Sequence, residues 1–357
     1  MGMKRGINDN FFDYLRYFAA FCVMYLHFTG YMRLMVPDAA APLNVLRFIV
    51  EFFQPTVVLI AMSGFLTAMS FEKSESVFVF LKKRISRIYL DMWLSMAVYV
   101  AVLFFVVGNL FDKSMLKWFI LQAVGFANTP DCLKEFATGS INGTLWFFSV
   151  IAQLYVVIAI IKVVTKNTKS KLFYGLMVII FGILNIVSGA VAPSLSETMQ
   201  KLLERTFIPY AFWFFIGVFC YNYKIYQDKN LKLALIILFL AQCILHIIPA
   251  SGLGYYTDFY RGILTCIITP AAGYILPAKR AKLNLTYGLY LYHWLILNLI
   301  IHFKLYEKIG LAMTFIIFTI ATIILAYIFR TDSRLLGTIK TTFRKKAHKN
   351  EFQKSGN

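Results

Sequence analysis

Arg16 and His27 stand eleven residues apart in the apolar stretch LRYFAAFCVMYLH. On a helix at about 100° per residue they share a face, roughly 16 Å apart along the axis. An ionisable side chain inside a bilayer is costly and marks function by default. Arg16 alone also fits a residue snorkelling from a helix end, and His27 alone a packed polar residue, but their shared face argues against both. Glu51 follows in RFIVEFFQPTVVLIAMSGFLTAM. If that segment runs back as one helix, Glu51 reaches the depth of His27, where a carboxylate would fix the imidazole tautomer and raise its basicity. It would equally reach the outer headgroups. Ser63 and Gly64 then fall nearer the Arg16 end, where Gly64 also fits close helix packing.

FLKKRISRIYLDMW places Arg84 and Arg87 three apart, on one helix face, at that same end. Guanidinium groups offer several fixed donors to phosphate oxygens. A positive anchor reads the same way, and Lys82 and Lys83 are expected to be only that. No glycine-rich phosphate cradle is present. His293 lies among Tyr290, Tyr292 and Trp294, lining a ligand path or belonging to an interfacial aromatic belt. Asp13 is the expected ion-pair partner of Arg16, and Asp91 of Arg87. His246 and His302 are expected near solvated helix ends, and His348 in an inert tail. The five cysteines have neither metal-ligand spacing nor a disulfide pattern.

The elements that must position these groups are membrane helices. Of 357 residues, 59% are hydrophobic and only 15% charged, with a mean hydropathy of +0.68. A soluble domain carries about a quarter charged residues. Ten segments reach the roughly 20 apolar residues of a span: 11–32, 46–70, 88–109, 143–163, 172–192, 207–223, 231–249, 257–277, 284–302 and 311–329. The first reads as a span and not as a cleaved leader, because it carries Asp13, Arg16 and His27 and no small-residue cleavage site. The stretch 114–127 is shorter and reads as interfacial or re-entrant. The net charge of +19 resides in loops, which excludes a nucleic-acid face. With the N-terminus inside and ten alternating spans, 25 Lys and Arg fall on the inner side and 10 on the outer. The expected fold is an all-α integral membrane bundle of about ten helices over 1–330, both termini cytoplasmic, with a basic cytoplasmic tail over 331–357.

Five strings, in order, resemble the membrane-bound acyltransferase 3 family, whose members acylate bacterial surface and exported glycans. LRYFAAFCVMYLH is similar to its Arg-x10-His element, LIAMSGFL to its Phe-Phe-x-x-Ser-Gly-Phe, and RISR to its Arg-x-x-Arg. TLWFFSVIAQLY resembles its Trp-x-x-Ser-x-x-x-x-x-Tyr stretch, and YGLYLYHW its Tyr-x-x-Tyr-Leu-x-His. The resemblance covers about residues 10–330. It implies an acyltransferase of the bacterial cytoplasmic membrane that takes an acyl group, most simply acetyl, from acyl-CoA as co-substrate, with no tightly bound cofactor and no metal. The acceptor implied is a polysaccharide or glycolipid hydroxyl. His27 would be general base or acyl relay, with Glu51 beside it. Arg16, Arg84 and Arg87 would hold the CoA phosphates, and Ser63, Gly64 and His293 would line the donor path. Trp146, Gln153, Tyr155 and Tyr290 would meet the acceptor.

Two departures bear on this. Ile60-Ala61 replaces the paired Phe, and Ile151 stands where many members carry Glu, leaving Glu51 as the candidate for that role. No soluble esterase-like domain follows the last span, so the chain is expected to finish the transfer itself or with a glycan-assembly partner. Intramembrane Arg and His also fit a secondary transporter, but no internal repeat is visible and the charges gather in the first three spans. A succinyl or longer-acyl transferase of the same fold remains an alternative, as does a catalytically silent scaffold.

Overall fold

The computed structural model describes residues 9–330 except 109, 111, 126–128 and 167; the expected basic tail lies outside the described residues. These form helices and no strand. In chain order the α-helices are α1 (Phe12–Met35), α2 (Pro37–Ala40), α3 (Leu43–Phe52), α4 (Pro55–Glu72), α5 (Val77–Val107), α6 (Lys113–Ala123), α7 (Leu145–Val164) and α8 (Lys171–Val191). They continue as α9 (Glu197–Glu204), α10 (Ala211–Asn222), α11 (Leu231–Ile247), α12 (Phe259–Ile275), α13 (Thr286–His302), α14 (Leu305–Ile309) and α15 (Leu311–Ile328). Among the described residues five stretches are long and apolar enough to cross a bilayer: Leu43–Glu72, Val77–Val107, Leu145–Val164, Lys171–Ser194 and Leu311–Ile328. α6, in the stretch read as interfacial, has 11 residues and is too short to span.

The segment expected as one helix over 46–70 is interrupted. Pro55 donates no N–H, and its ring disfavours a helical residue before it. Gln54 accordingly sits in the left-handed region at φ 43°. α3 therefore ends before α4 begins.

α4 lies at the centre, against α10, α12 and α1. Its approach to α10 is backbone on backbone. A Cβ on Gly64 would stand 2.0 Å from the Phe214 carbonyl oxygen, and one on Gly217 equally close to that of Ala61. Only glycine permits this crossing, as at small-residue seams between membrane helices. Gly64 is thus occupied by helix packing. α13 is buried on nearly every side, while α8, α11 and α15 turn Ile179, Ile183, Ile237, Leu240, Ile316 and Ile320 outward. Soluble monomers rarely expose so much apolar surface; hydrocarbon chains would cover it.

Buried amides pin the loops to this frame. Asn298 Nδ2 donates to the carbonyls of Ser140 (2.9 Å) and Ile141 (3.1 Å). Asn142 Nδ2 donates to Leu291 O (3.0 Å), and Asn185 Nδ2 to Pro209 O (2.7 Å). Each satisfies a buried carbonyl that lipid could not.

Gly64→Ala is expected to destabilise the protein by about 1–3 kcal/mol, because neither backbone at the crossing can yield cheaply. Gly175→Ala, whose Cβ would meet nothing closer than 3.7 Å, is the control. Thermal melts of the two variants in detergent check the difference.

Candidate active site

Three arginines from two helices converge on one cavity of about 420 Å³. α5 is opened by Ser76, whose Oγ accepts from Val79 N at 3.2 Å, a normal N-cap. Two turns further on, Arg84 donates to Leu66 O (2.9 Å) and lies 5.5 Å from the Tyr155 ring centroid. Arg87 lies 5.3 Å from the centroid of Tyr287. α1 adds Arg16, paired with Asp13 at 3.4 Å as expected, with its Nε buried and unbonded among the described residues. Ser63 Oγ and Tyr155 Oη, 3.2 Å apart, complete the polar wall. The lining also carries apolar side chains, among them Leu59, Met62, Phe147 and Ile151. Aromatic faces hold the guanidinium planes while leaving donors free, an arrangement suited to a polyanion with an uncharged arm.

His27, farther along α1, lines a second cavity of about 580 Å³. Its Nδ1 lies 2.9 Å from Nε2 of His293, which is fully buried on α13. The ring planes differ by 10° and the centroids are 5.2 Å apart. That separation exceeds the N–N distance by the two ring radii, so the bond runs in the ring planes. His293 Nδ1 lies 2.9 Å from Leu289 O. A carbonyl only accepts, so Nδ1 of His293 carries the proton and its Nε2, in the neutral ring, is a lone pair. His27 must then donate from Nδ1, which leaves the His27 Nε2 lone pair as the free base of the pair.

The rest of this cavity is aromatic and hydroxylic. Trp146 packs against Tyr210 (5.0 Å between centroids) and Tyr256 (5.7 Å), and Tyr256 Oη is 2.8 Å from Thr56 Oγ1. Burial pushes the Tyr255 hydroxyl up to about 12, so it remains a neutral donor. Glu204 is the carboxylate lining the cavity among the described residues, next to Arg205. Burial lowers the Arg205 pKa, opposed by Glu204, yet a guanidinium stays charged.

Several expected site residues lie elsewhere. Glu51 binds Arg47 at 2.7 Å with 45% of its side chain exposed. Arg47 in turn donates to Leu26 O and Thr29 Oγ1, both at 3.1 Å, so the carboxylate steadies the turn carrying His27 while His293 holds the imidazole. Gln153 spends both ends of its amide on backbone: Nε2 donates to Arg205 O (2.8 Å) and Oε1 accepts from Phe207 N (3.0 Å). It fixes the loop that carries Arg205. Tyr155 stands with the arginines, and Trp146 alone of the α7 candidates faces the histidine cavity. Tyr290 lines both cavities. No group of three or more possible metal ligands occurs among the described residues. Sequence reading missed the imidazole pair, because the partners are 266 positions apart and no local spacing reports it.

Residues 9–331 match the acyltransferase domain of the acyltransferase 3 family. The chain is also similar to Nodulation protein 10 of Rhizobium leguminosarum bv. viciae, 27% identical over 318 aligned residues that cover 82% of this chain and 84% of that protein. No solved structure matches.

In protein labelled with ¹⁵N-histidine and held near pH 8, above the ordinary imidazole range, both His27 and His293 are expected to show a protonated Nδ1 and a bare Nε2. Solid-state NMR with His27→Gln and His293→Gln for assignment checks this; a protonated Nε2 on His27 would contradict the derived tautomer.

Proposed function

The chain belongs to the acyltransferase 3 family of membrane proteins, and on that premise we propose that it transfers an acyl group, in the first place acetyl, from acyl-CoA to a hydroxyl of a surface or lipid-linked polysaccharide. Support comes first from one helix: α1 delivers Arg16 to the arginine cavity and His27 to the aromatic one. The rise of roughly 16 Å between them is comparable to an extended pantetheine arm. In this reading ten spans leave both termini in the cytoplasm, and the excess of inner Lys and Arg puts the arginine end on the cytoplasmic face of the bacterial inner membrane.

Arg16, Arg84 and Arg87 bind the donor phosphates at the mouth, and the thioester reaches the apolar end. The acceptor sugar lays a C–H face on Trp146 and Tyr256, with Glu204 and Arg205 within reach of its hydroxyls. His27 Nε2 removes the proton of the attacking hydroxyl. The sugar oxygen bonds to the acyl carbon, the C–S bond breaks, and the departing thiolate takes the same proton back from His27. While His27 is an imidazolium, its Nδ1–H donates to the His293 lone pair as a charge-assisted bond. His293 thereby does the work of the orienting third group in other base-activated sites. Glu51 acts through Arg47 on the α1 backbone.

His27→Ala is expected to lower acyl transfer by about 10²–10⁴-fold in a protein that still inserts and melts cooperatively. The paired variant Arg84→Ala/Arg87→Ala is instead expected to raise KM for acyl-CoA. Mass spectrometry of surface glycans from cells carrying each variant, with donor titrations on membranes, separates the two. Undiminished glycan acylation by His27→Ala would refute the assignment.

A further inference from the structure

The two cavities do not simply meet; one layer of side chains divides them. On α4, Thr56 lines the histidine cavity and Leu59, one turn on, the arginine cavity. On α7, Trp146 faces the first and Phe147 the second. On α13, Tyr287 lies over Arg87, His293 holds His27, and Tyr290 midway between them lines both spaces. These three positions repeat every third residue and so share a helix face. The Tyr290 ring is buried, 5.0 Å from Phe147 and 6.0 Å from His293 between centroids, and its hydroxyl makes no hydrogen bond among the described residues. It is held by packing alone, so a rotamer change costs it no polar partner.

We infer that Tyr290 is the partition between donor and acceptor, and that its ring, with Phe147 and Ile151, forms the seat that measures the acyl group. This rests on the acyltransferase reading above. Phe147 and Tyr155 are eight residues apart on α7, about 12 Å along the axis. The phosphate end and the acyl end of the arginine cavity are therefore distinct, and the acyl end is closed by carbon. A short uncharged acyl group fits it. A carboxylated acyl group such as succinyl would find no cation among Leu59, Met62, Phe147 and Ile151, and a longer chain would strike the Tyr290 ring. In the rotamer seen here the same ring keeps water of the histidine cavity from the thioester, and its rotation when a sugar is seated lets the hydroxyl through. With the ring removed, water replaces the sugar: its oxygen bonds to the acyl carbon, the C–S bond breaks, and the products are the free acid and CoA thiol.

The test uses the full chain in detergent and in cells, with Tyr290→Ala and the bulkier Tyr290→Leu as variants and Tyr290→Phe, which keeps the ring. Thiol release from acetyl-, butyryl- and hexanoyl-CoA, with water as acceptor, reports the partition. The acyl mass on surface glycans reports transfer. For Ala and Leu, acceptor-free thiol release is expected to rise, and the hexanoyl-to-acetyl ratio of kcat/KM to shift by about tenfold or more, the effect of one or more methylenes relieved of a clash. Phe is expected to keep the wild-type chain-length profile. If wild-type cells add acetyl to glycan while Ala and Leu keep the wild-type profile and leak no thiol, the role of Tyr290 is overturned. If wild-type cells add no acyl mass to any glycan, the acyltransferase reading itself falls.

Discussion

The in-plane hydrogen bond between His27 and His293 joins the first helix to the thirteenth, and the placement of the reactive groups depends on it. An imidazole among apolar helices needs a partner for each nitrogen that is not open to a cavity. His293 has two, Leu289 O and His27, and so is satisfied without charge. His27 has one, and its other nitrogen is left for chemistry. Because α13 must meet α1 at this point, Tyr290 and Tyr287, each a turn nearer the arginines, are delivered to the wall between the cavities and to the face of Arg87.

The separation of arginines from histidines follows from the cost of charge in hydrocarbon. Three guanidinium groups are tolerable at a wet mouth, where aromatic rings and a backbone carbonyl support them. The guanidinium groups nearer His27 belong to Arg47, ion-paired with Glu51, and to Arg205, beside Glu204. In the proposed reading a donor whose phosphates stop at the mouth sends only its neutral arm inward, and the imidazole pair itself is uncharged until a proton moves. The imidazole pair suits that condition better than an imidazole–carboxylate pair would, since it buries no fixed charge. Glu51 keeps its charge half exposed and balanced by Arg47.

Periodicity and charge made the frame legible: the apolar segments read from the sequence fall on helices, with 46–70 divided between α3 and α4, and the three arginines share one cavity. What the sequence did not report were contacts between distant segments. Reading 46–70 as one helix ignored what Pro55 does to Gln54, and it paired Glu51 with the imidazole where its partner is Arg47. Gly64 sits in a family-like string, but a backbone crossing with α10 explains it. Gln153, placed against the acceptor by the resemblance, has both ends of its amide occupied by the loop at Arg205 and Phe207. Tyr155 and Trp146 are nine residues apart on one helix, yet they face different cavities because the partition falls between them. Glu204 and Arg205, in a short polar loop, gave no signal that they would border His27's cavity.

The central claim is that an acyl group crosses the bundle covalently, from the arginine side to an acceptor on the histidine side. Inside-out vesicles from cells that make the protein and their own surface glycan test it directly, with radiolabelled acetyl-CoA supplied only to the exposed cytoplasmic face. The expected result is label bound covalently to glycan in the sealed lumen, with CoA thiol released outside and both lost in His27→Ala. Label that enters the lumen without becoming bound, or that marks only glycan on the exposed face, would contradict the account.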